Sequence, residues 1–468
     1  MRAFFIINYM QITVSPIGEE KKLLALLQKQ GLPVHAPCGG NGHCGRCKVL
    51  LNGKEVLACR TEIDGPSVVE LPDTSGILSE TGISERKNLV GKGLFFAVDI
   101  GTTTVTVALC EENTVVETAT FDNPQLAFGA DVLTRIQKTN ELGVSALQKP
   151  LLGSLKTNFA RLAEKYGAIP KKAYVCGNTV MLHIFWGESV SALGVAPYRP
   201  VFTDARTGTL STLGEIEVTT LPCLSSYVGA DITAGIGFCS SPKNGKINFL
   251  IDLGTNAEIA LIENERILTA SAAAGPCFEA GNISCGMPAT EGAIVSFSFD
   301  RSPRYVFLGT RPVGLCGTGL IDVVGQLRKN NIIDKTGFLK FDLGYPVAPS
   351  VTLLQDDVRQ FQLAKSAVRS GVEVLLKEVG RSYADVDKVF LAGGVSAGID
   401  VKNAAYAGLI PQELSDKCVS VKNSALAGTI LYAASPEKFS DVKNKSVYVD
   451  LATSPAFAEA FIKNIDFE

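Results

Sequence analysis

One motif, written twice, constrains this chain more than any other feature. FFAVDIGTTTVTVAL (95–109) and NFLIDLGTNAEIALI (248–262) each run an apolar strand into an aspartate, turn at Gly-Thr, and leave along a second β-like run. A single D-x-G-T carries little weight, because any strand and turn can spell it. Two copies in register, a lobe's length apart, point to two related lobes. Between and after them, apolar β runs interleave with helical segments, the habit of α/β layers. The motif also suits phosphate chemistry. Glycine and small hydroxyl side chains let phosphate oxygens approach the backbone amides, and the aspartate can hold a hydrated Mg²⁺.

A second constraint lies upstream. PCGGNGHCGRC (37–47) crowds three of the chain's 12 cysteines onto one glycine-rich loop, and Cys59 follows in VLACR. The intervening KVLLNGKEVLAC reads as two short strands about Asn52-Gly53, a strong hairpin signal. That hairpin returns Cys59 towards Cys47, so Cys38, Cys44, Cys47 and Cys59 can converge. Their C-x5-C-x2-C-x11-C spacing puts three ligands on one loop, whereas zinc ribbons pair two separated C-x2-C units. It lies one residue from the plant-type ferredoxin spacing and favours a [2Fe–2S] cluster over zinc or unligated thiols. Loop glycines allow the backbone to pass close to inorganic sulfide. A Rieske centre needs two histidine ligands, and neither His35 nor His43 replaces a cysteine. The other eight cysteines are dispersed and read as small buried hydrophobes.

Composition narrows the remaining classes. With 44 basic and 47 acidic residues, the net charge of −3 offers no polycationic footprint for nucleic acid. No stretch approaches the length of an uncharged membrane span. MRAFFIINYM is too short in its apolar core for a secretory signal, so a cytoplasmic protein is expected, where clustered cysteines read as metal ligands. The polar, glycine-punctuated ETGISERKNLVGKG (80–93) reads as a linker. The expected organisation is a domain over 1–79, a linker over 80–93 and a two-lobed unit over 94–468. Within that unit the lobes run about 94–247 and 248–445, with a C-terminal segment over 446–468.

A third element, KVFLAGGVSAGID (388–400), is a buried strand running into Gly393-Gly394, which leaves room for a flat ring or ribose on the backbone. The order DIGTTT, DLGTNAE, LAGGVSAG resembles the phosphate-1, phosphate-2 and adenosine motifs of the fold shared by actin, sugar kinases and chaperone ATPases. NSALAG (423–428) resembles its second connecting helix. More narrowly, the chain resembles the reductive activators of corrinoid proteins, which join an N-terminal [2Fe–2S] domain to such an ATPase. FGADVLTRI, CGNTVMLHI, VGADITAGI, AGPCFEAGNISCGMPATEGAI, GLCGTGLID, DVRQFQLAKSAVRSGVEVLL and YVDLATSPAFAEAFI look like that family's segments. One departure is expected: longer members carry extra linker and middle regions before the ATPase, and this chain allots only the short 80–93 stretch there.

The resemblance implies an α/β multidomain fold. A small β-grasp ferredoxin-like domain precedes a two-lobed, actin-like ATPase of duplicated ribonuclease H-like type. It implies an enzyme that uses ATP to pass an electron from its cluster to a corrinoid protein, returning Co(II) to Co(I) for methyl transfer. In that account Cys38, Cys44, Cys47 and Cys59 hold the cluster. Asp99 and Asp252 are catalytic, positioning Mg²⁺ and the attacking water. Gly101, Thr102, Thr103 and Thr104, with Gly254, Thr255 and Asn256, cradle phosphate, and Gly393 and Gly394 face the nucleoside. Glu258 and Asp231 are further candidates that helix capping or surface roles explain equally well, and Glu279 belongs to a glycine-rich 275–292 loop. Expected partners are the corrinoid protein and a low-potential electron donor, with a homodimer left open and neither nucleic acid nor membrane involved. Three rivals remain: an activator of another reductase or dehydratase with a [4Fe–4S] cluster on Cys277 and Cys285, a kinase with a fused ferredoxin, and an ATP-binding redox sensor.

Overall fold

The computed structural model describes residues 9–18, 20–30, 32, 34, 36, 40, 42, 47–72, 93–168, 170–243, 245–300 and 302–467. The linker expected at 80–93 lies outside the described residues except for Gly93. The described residues gather into two compact units. One holds those up to 72 together with 93–234 and 428–439; the other holds 235–427 and 440–467.

The first unit begins with a four-stranded sheet of β1 (Tyr9–Val14), β2 (Lys48–Leu51), β3 (Lys54–Leu57) and β4 (Ser67–Pro72), in the order β1-β4-β2-β3. Helix α1 (Leu23–Lys29) buries Leu23, Leu24, Leu26 and Leu27, which share a core with Val14, Val49, Val69 and Leu71. The β2–β3 turn falls at Asn52-Gly53, both with positive φ (48° and 78°). That pair suits the primed turn a two-residue hairpin needs. Asn52 Oδ1 then accepts the amide of Val68 at 2.9 Å, tying the turn to β4.

The rest of this unit is built on a six-stranded sheet. Its strands are β5 (Leu94–Ile100), β6 (Thr104–Glu111), β7 (Thr114–Asp122), β8 (Lys172–Gly177), β9 (Arg206–Thr209) and β10 (Glu217–Thr220). The order is β7-β6-β5-β8-β10-β9. The first three form an antiparallel meander, and β8 lies parallel to β5 on its other side. Helices α2 (Val132–Leu142) and α3 (Val144–Tyr166) carry the chain from β7 to β8.

The second unit repeats the plan. β11 (Ile247–Leu253), β12 (Ala257–Ile262) and β13 (Ile267–Ala272) form the same meander, and strand Val386–Ala392 lies parallel to β11 in the position β8 takes beside β5. Strands Cys418–Lys422 and Ser446–Tyr448 close the two edges. The inner strands β5 and β11 are buried along nearly their whole length. A parallel pairing covered on both faces requires such unbroken apolar runs. The doubled sequence motif is thus two copies of one sheet topology, each placing its aspartate near the end of the first strand.

On the second sheet lies helix Gln355–Glu378, which also holds the C-terminal segment. Lys365 is fully buried and donates to the carbonyls of Asn464, at 2.6 Å, and of Asp466. Gln362 donates to Ile465 O at 2.9 Å and Ser366 to Phe461 O at 2.6 Å. The tail is therefore fixed by directed polar contacts, which a buried cation requires.

Candidate functional site

The first phosphate-type hairpin joins β5 to β6. Asp99 is half-buried, opposite Thr106 on β6 and Cys176 on β8. The Cys176 thiol, fully buried, donates to Asp99 Oδ1 at 3.7 Å. Burial, with Asp99 beside it, holds that thiol well above its ordinary pKa, so it stays a donor.

The turn itself is tight. A Cβ on Gly101 would sit 2.7 Å from Thr104 O. Its carbonyls are drawn to one side: Asn123 Nδ2 donates to Gly101 O at 2.7 Å, Arg135 to Thr102 O, and Asn123 N to Thr103 O at 2.8 Å. Three successive carbonyls of the turn are thus held by Asn123 and Arg135.

Asp231, in the same unit, lies in the first turn of helix Ala230–Phe238. A Cβ on Gly229 would lie 2.4 Å from Asn178 Cα, so glycine is what lets this turn close on the end of β8. Asp231 is half-buried by area but deeply set. Burial, opposed by the Ile232 amide and reinforced by the Asp99 charge, raises its carboxyl to about 7. Asp231 and the Cys176 thiol thus both lie within reach of the Asp99 charge.

In the second unit, Asp252 is half-buried, opposite Glu258 on β12 and Ala392 on strand Val386–Ala392. Gly254 N donates to Asn256 O at 3.1 Å, closing the turn. Thr255 Oγ1 donates to Glu279 Oε2 at 2.8 Å, which brings the 275–292 loop onto the hairpin. Glu258 accepts from Ser271 Oγ at 3.3 Å. Gly393 has φ +90°, and a Cβ there would meet Leu253 O at 2.5 Å and Asp252 Oδ1 at 2.6 Å. Gly394 faces open space. Ser396 donates to Gly393 O at 2.8 Å, fixing the turn from behind. Asp252, Gly393 and the Gly254–Asn256 turn therefore meet in one place.

The cysteine hairpin follows its expected course. Cys47 is buried and Cys59 half-buried, β2 and β3 pair Lys48 with Leu57, and Cys59 N donates to Cys47 Sγ at 3.4 Å. An amide aimed at sulfur suits a thiolate ligand. Gly40 and Gly42 take φ of +91° and +79°. Cys38 and Cys44 lie outside the described residues. The thiols that are described fit a cluster whose other two ligands come from the same loop. Cys277 and Cys285 lie on the 275–292 loop, where burial, with the Asp357 carboxylate near, pushes their thiols up to about 12 and about 11.

Sequence reasoning missed Cys176, Asn123, Arg135 and Ser396. Cys176 and Arg135 lie in CGNTVMLHI and FGADVLTRI, segments marked only by resemblance. Among the described residues no helix is long and apolar enough to cross a membrane.

Comparison with known proteins corrects one expectation. A family model described as the C-terminal, ASKHA domain of RACo matches residues 246–468, and one described as the RACo middle region matches 94–242. The middle region is thus present as the first lobe, and the expectation that this chain has little room for it is wrong. The corrinoid activation enzyme RamQ of Eubacterium limosum is 28 % identical over 601 residues, covering 100 % of this chain and 99 % of that one. A Co(II) methylated amine-specific corrinoid protein reductase of Methanosarcina barkeri is 25 % identical over 421 residues, covering 79 % of this chain and 76 % of the other. A solved reductive activator for corrinoid, iron-sulfur protein superposes with a TM-score of 0.71 at 24 % identity, over 100 % of this chain and 80 % of that one, and so shares its fold. The C-terminal part is an actin-like ATPase domain of the ASKHA type. With two RACo models matched in order along the chain and the same fold in a solved member, the protein belongs to the RACo family of reductive activators of corrinoid proteins.

Proposed function

We propose that this chain is an ATP-dependent reductive activator that delivers one electron to a corrinoid protein, taking cobalt from inactive Co(II) to the Co(I) state that accepts a methyl group. The observation that carries this is the pairing, in one chain, of two aspartate hairpins on duplicated sheets with a thiol-bearing hairpin whose amide meets sulfur. The names of the relatives from Eubacterium limosum and Methanosarcina barkeri support the same substrate class.

Asp99 and Asp252 orient hydrated Mg²⁺ and the attacking water. Gly101, Thr102, Thr103 and Thr104, with Gly254, Thr255 and Asn256, bind phosphate oxygens. Gly393 and Gly394 admit the nucleoside, and Glu258 and Asp231 set the charge around the reacting phosphate. Cys38, Cys44, Cys47 and Cys59 are the ligands for a [2Fe–2S] cluster, on a β-grasp domain over 1–79 that the four strands and α1 support. When bound, such a cluster would supply one electron at about −400 mV. Reduction of Co(II) asks for a lower potential, and each factor of ten against the transfer corresponds to about 59 mV for one electron. ATP can make up the difference only through a conformation it binds preferentially. The linker at 80–93 and the ATPase over 94–468 complete the organisation we favour. Clustered cysteines suit a reducing, cytoplasmic setting.

The test is to mix reduced holoprotein, MgATP and candidate corrinoid carriers anaerobically and follow the Co(I) absorption band. Growth of that band supports the reading. A phosphorylated small molecule with no Co(I) would instead make the protein a kinase, and nucleotide binding without turnover would make it a sensor.

A further inference from the structure

Asn123, Gln125 and Arg135 have no part in the roles above, yet all three are fully buried. Asn123 caps the short turn Pro124–Ala127 that follows β7, Gln125 lies within it, and Arg135 lies on α2. Their side chains form one node. Asn123 Oδ1 accepts Gln125 N at 2.9 Å, Arg135 Nη1 donates to Gln125 Oε1 at 3.2 Å, and Arg135 Nε donates to Gly129 O at 2.9 Å. On one side the node grips the carbonyls of Gly101, Thr102 and Thr103, the phosphate-type turn.

On the other side lies the N-terminal sheet. The next two carbonyls after Gln125 are those of Leu126 and Ala127. Leu126 O accepts the amide of Ala36 at 3.3 Å, and Ala127 O accepts Gln28 Nε2 from α1. Ala36 is two residues before Cys38. Five consecutive residues, 123–127, therefore touch the nucleotide-type turn at one end and the seat of the cysteine-bearing sheet at the other.

We propose that the Asn123–Gln125–Arg135 node couples the Gly101–Thr104 turn to that seat, so that nucleotide at the turn changes how firmly the N-terminal sheet is held. These three are positioning residues, and the proposal rests on the ATP-site reading above. If the turn shifts to meet phosphate, Asn123 and Arg135 must follow it or leave buried carbonyls unpaired, a penalty the fold avoids. Asn123 is locked to the Gln125 amide, so Leu126 and Ala127 move with it. The Ala36 contact, at 3.3 Å, is long for an amide hydrogen bond and is the natural point of release. A node that only filled space would have no reason to aim donors at three successive carbonyls of one functional turn.

Hydrogen exchange on the full-length holoprotein, with and without MgATP, tests this. Wild type should show slowed exchange at 101–104 and, with it, a change of about tenfold at Ala36 and 126–128, an ordinary allosteric magnitude. Gln125→Met removes the Arg135–Gln125 Oε1 bond but keeps the Gln125 amide on Asn123, so the response at 101–104 should persist while that at Ala36 shrinks. Because Gln125 is buried, Gln28→Ala gives an independent cut from the half-buried outer side, and it should abolish the Ala36 response. The relay is overturned if 101–104 responds in wild type while Ala36 does not, or if the Ala36 response survives both substitutions. If 101–104 does not respond at all, the nucleotide site itself is wrongly placed and the relay falls with it.

Discussion

Gly393 and Gly394 are neighbours under opposite constraints. At Gly393 any side chain meets Leu253 O and Asp252 Oδ1 inside 2.7 Å in a backbone conformation that L-residues avoid; at Gly394 there is open space. Gly393→Ala should destabilise the protein by about 1–3 kcal/mol and weaken nucleotide binding by displacing Asp252. Gly394→Ala should leave stability unchanged. Urea unfolding and nucleotide titration of the two variants check both statements, and equal stability losses would refute the geometry. Asp231 supplies a pH test. Its carboxyl is raised to about 7 in the fold, so between the ordinary carboxylate range and that value the native state binds a proton the unfolded chain has released. Stability contributed by the neutral form is then lost as pH rises through about 7. The Tm of nucleotide-free protein should fall across that window, and Asp231→Asn should flatten the fall.

At the scale of elements, the hairpin β2–β3 and the duplicated meanders were legible in the sequence for a physical reason. Asn52-Gly53 dictates its own turn, and inner strands such as FFAVDI must be apolar on both faces. The hairpin's return of Cys59 to Cys47 followed from the turn alone. The node at Asn123, Gln125 and Arg135 was not legible, because a buried arginine satisfied by backbone carbonyls has no spacing rule and reads as an ordinary helix surface charge. Cys176 read as a packing thiol for the same reason: only the sheet register puts it beside Asp99. Glu279 was named as part of a loop, and its bond to Thr255 depends on a fold of 275–292 that no periodicity announces. The element-level prediction concerns the metal. Cys59→Ser should lose iron and the cluster absorption, whereas the Cys277→Ala, Cys285→Ala double variant should keep about two irons and two acid-labile sulfides per chain. Loss of iron in the double variant would move the cluster to the 275–292 loop.

Across the whole molecule, the proposed function gives the nucleotide site the task of making the cysteine-bearing hairpin's cluster a strong enough reductant. Asp99→Asn and Asp252→Asn should therefore uncouple the two, leaving the cluster spectrum intact while the nucleotide effect on cobalt is lost. The central claim is that electron delivery depends on ATP. It is measured most directly by the Co(I) absorption band in an anaerobic mixture of pre-reduced holoprotein and its corrinoid carrier, recorded before and after MgATP is added. Little Co(I) should form until MgATP is present, and it should appear rapidly afterwards. Equal Co(I) in the absence of nucleotide would contradict that claim.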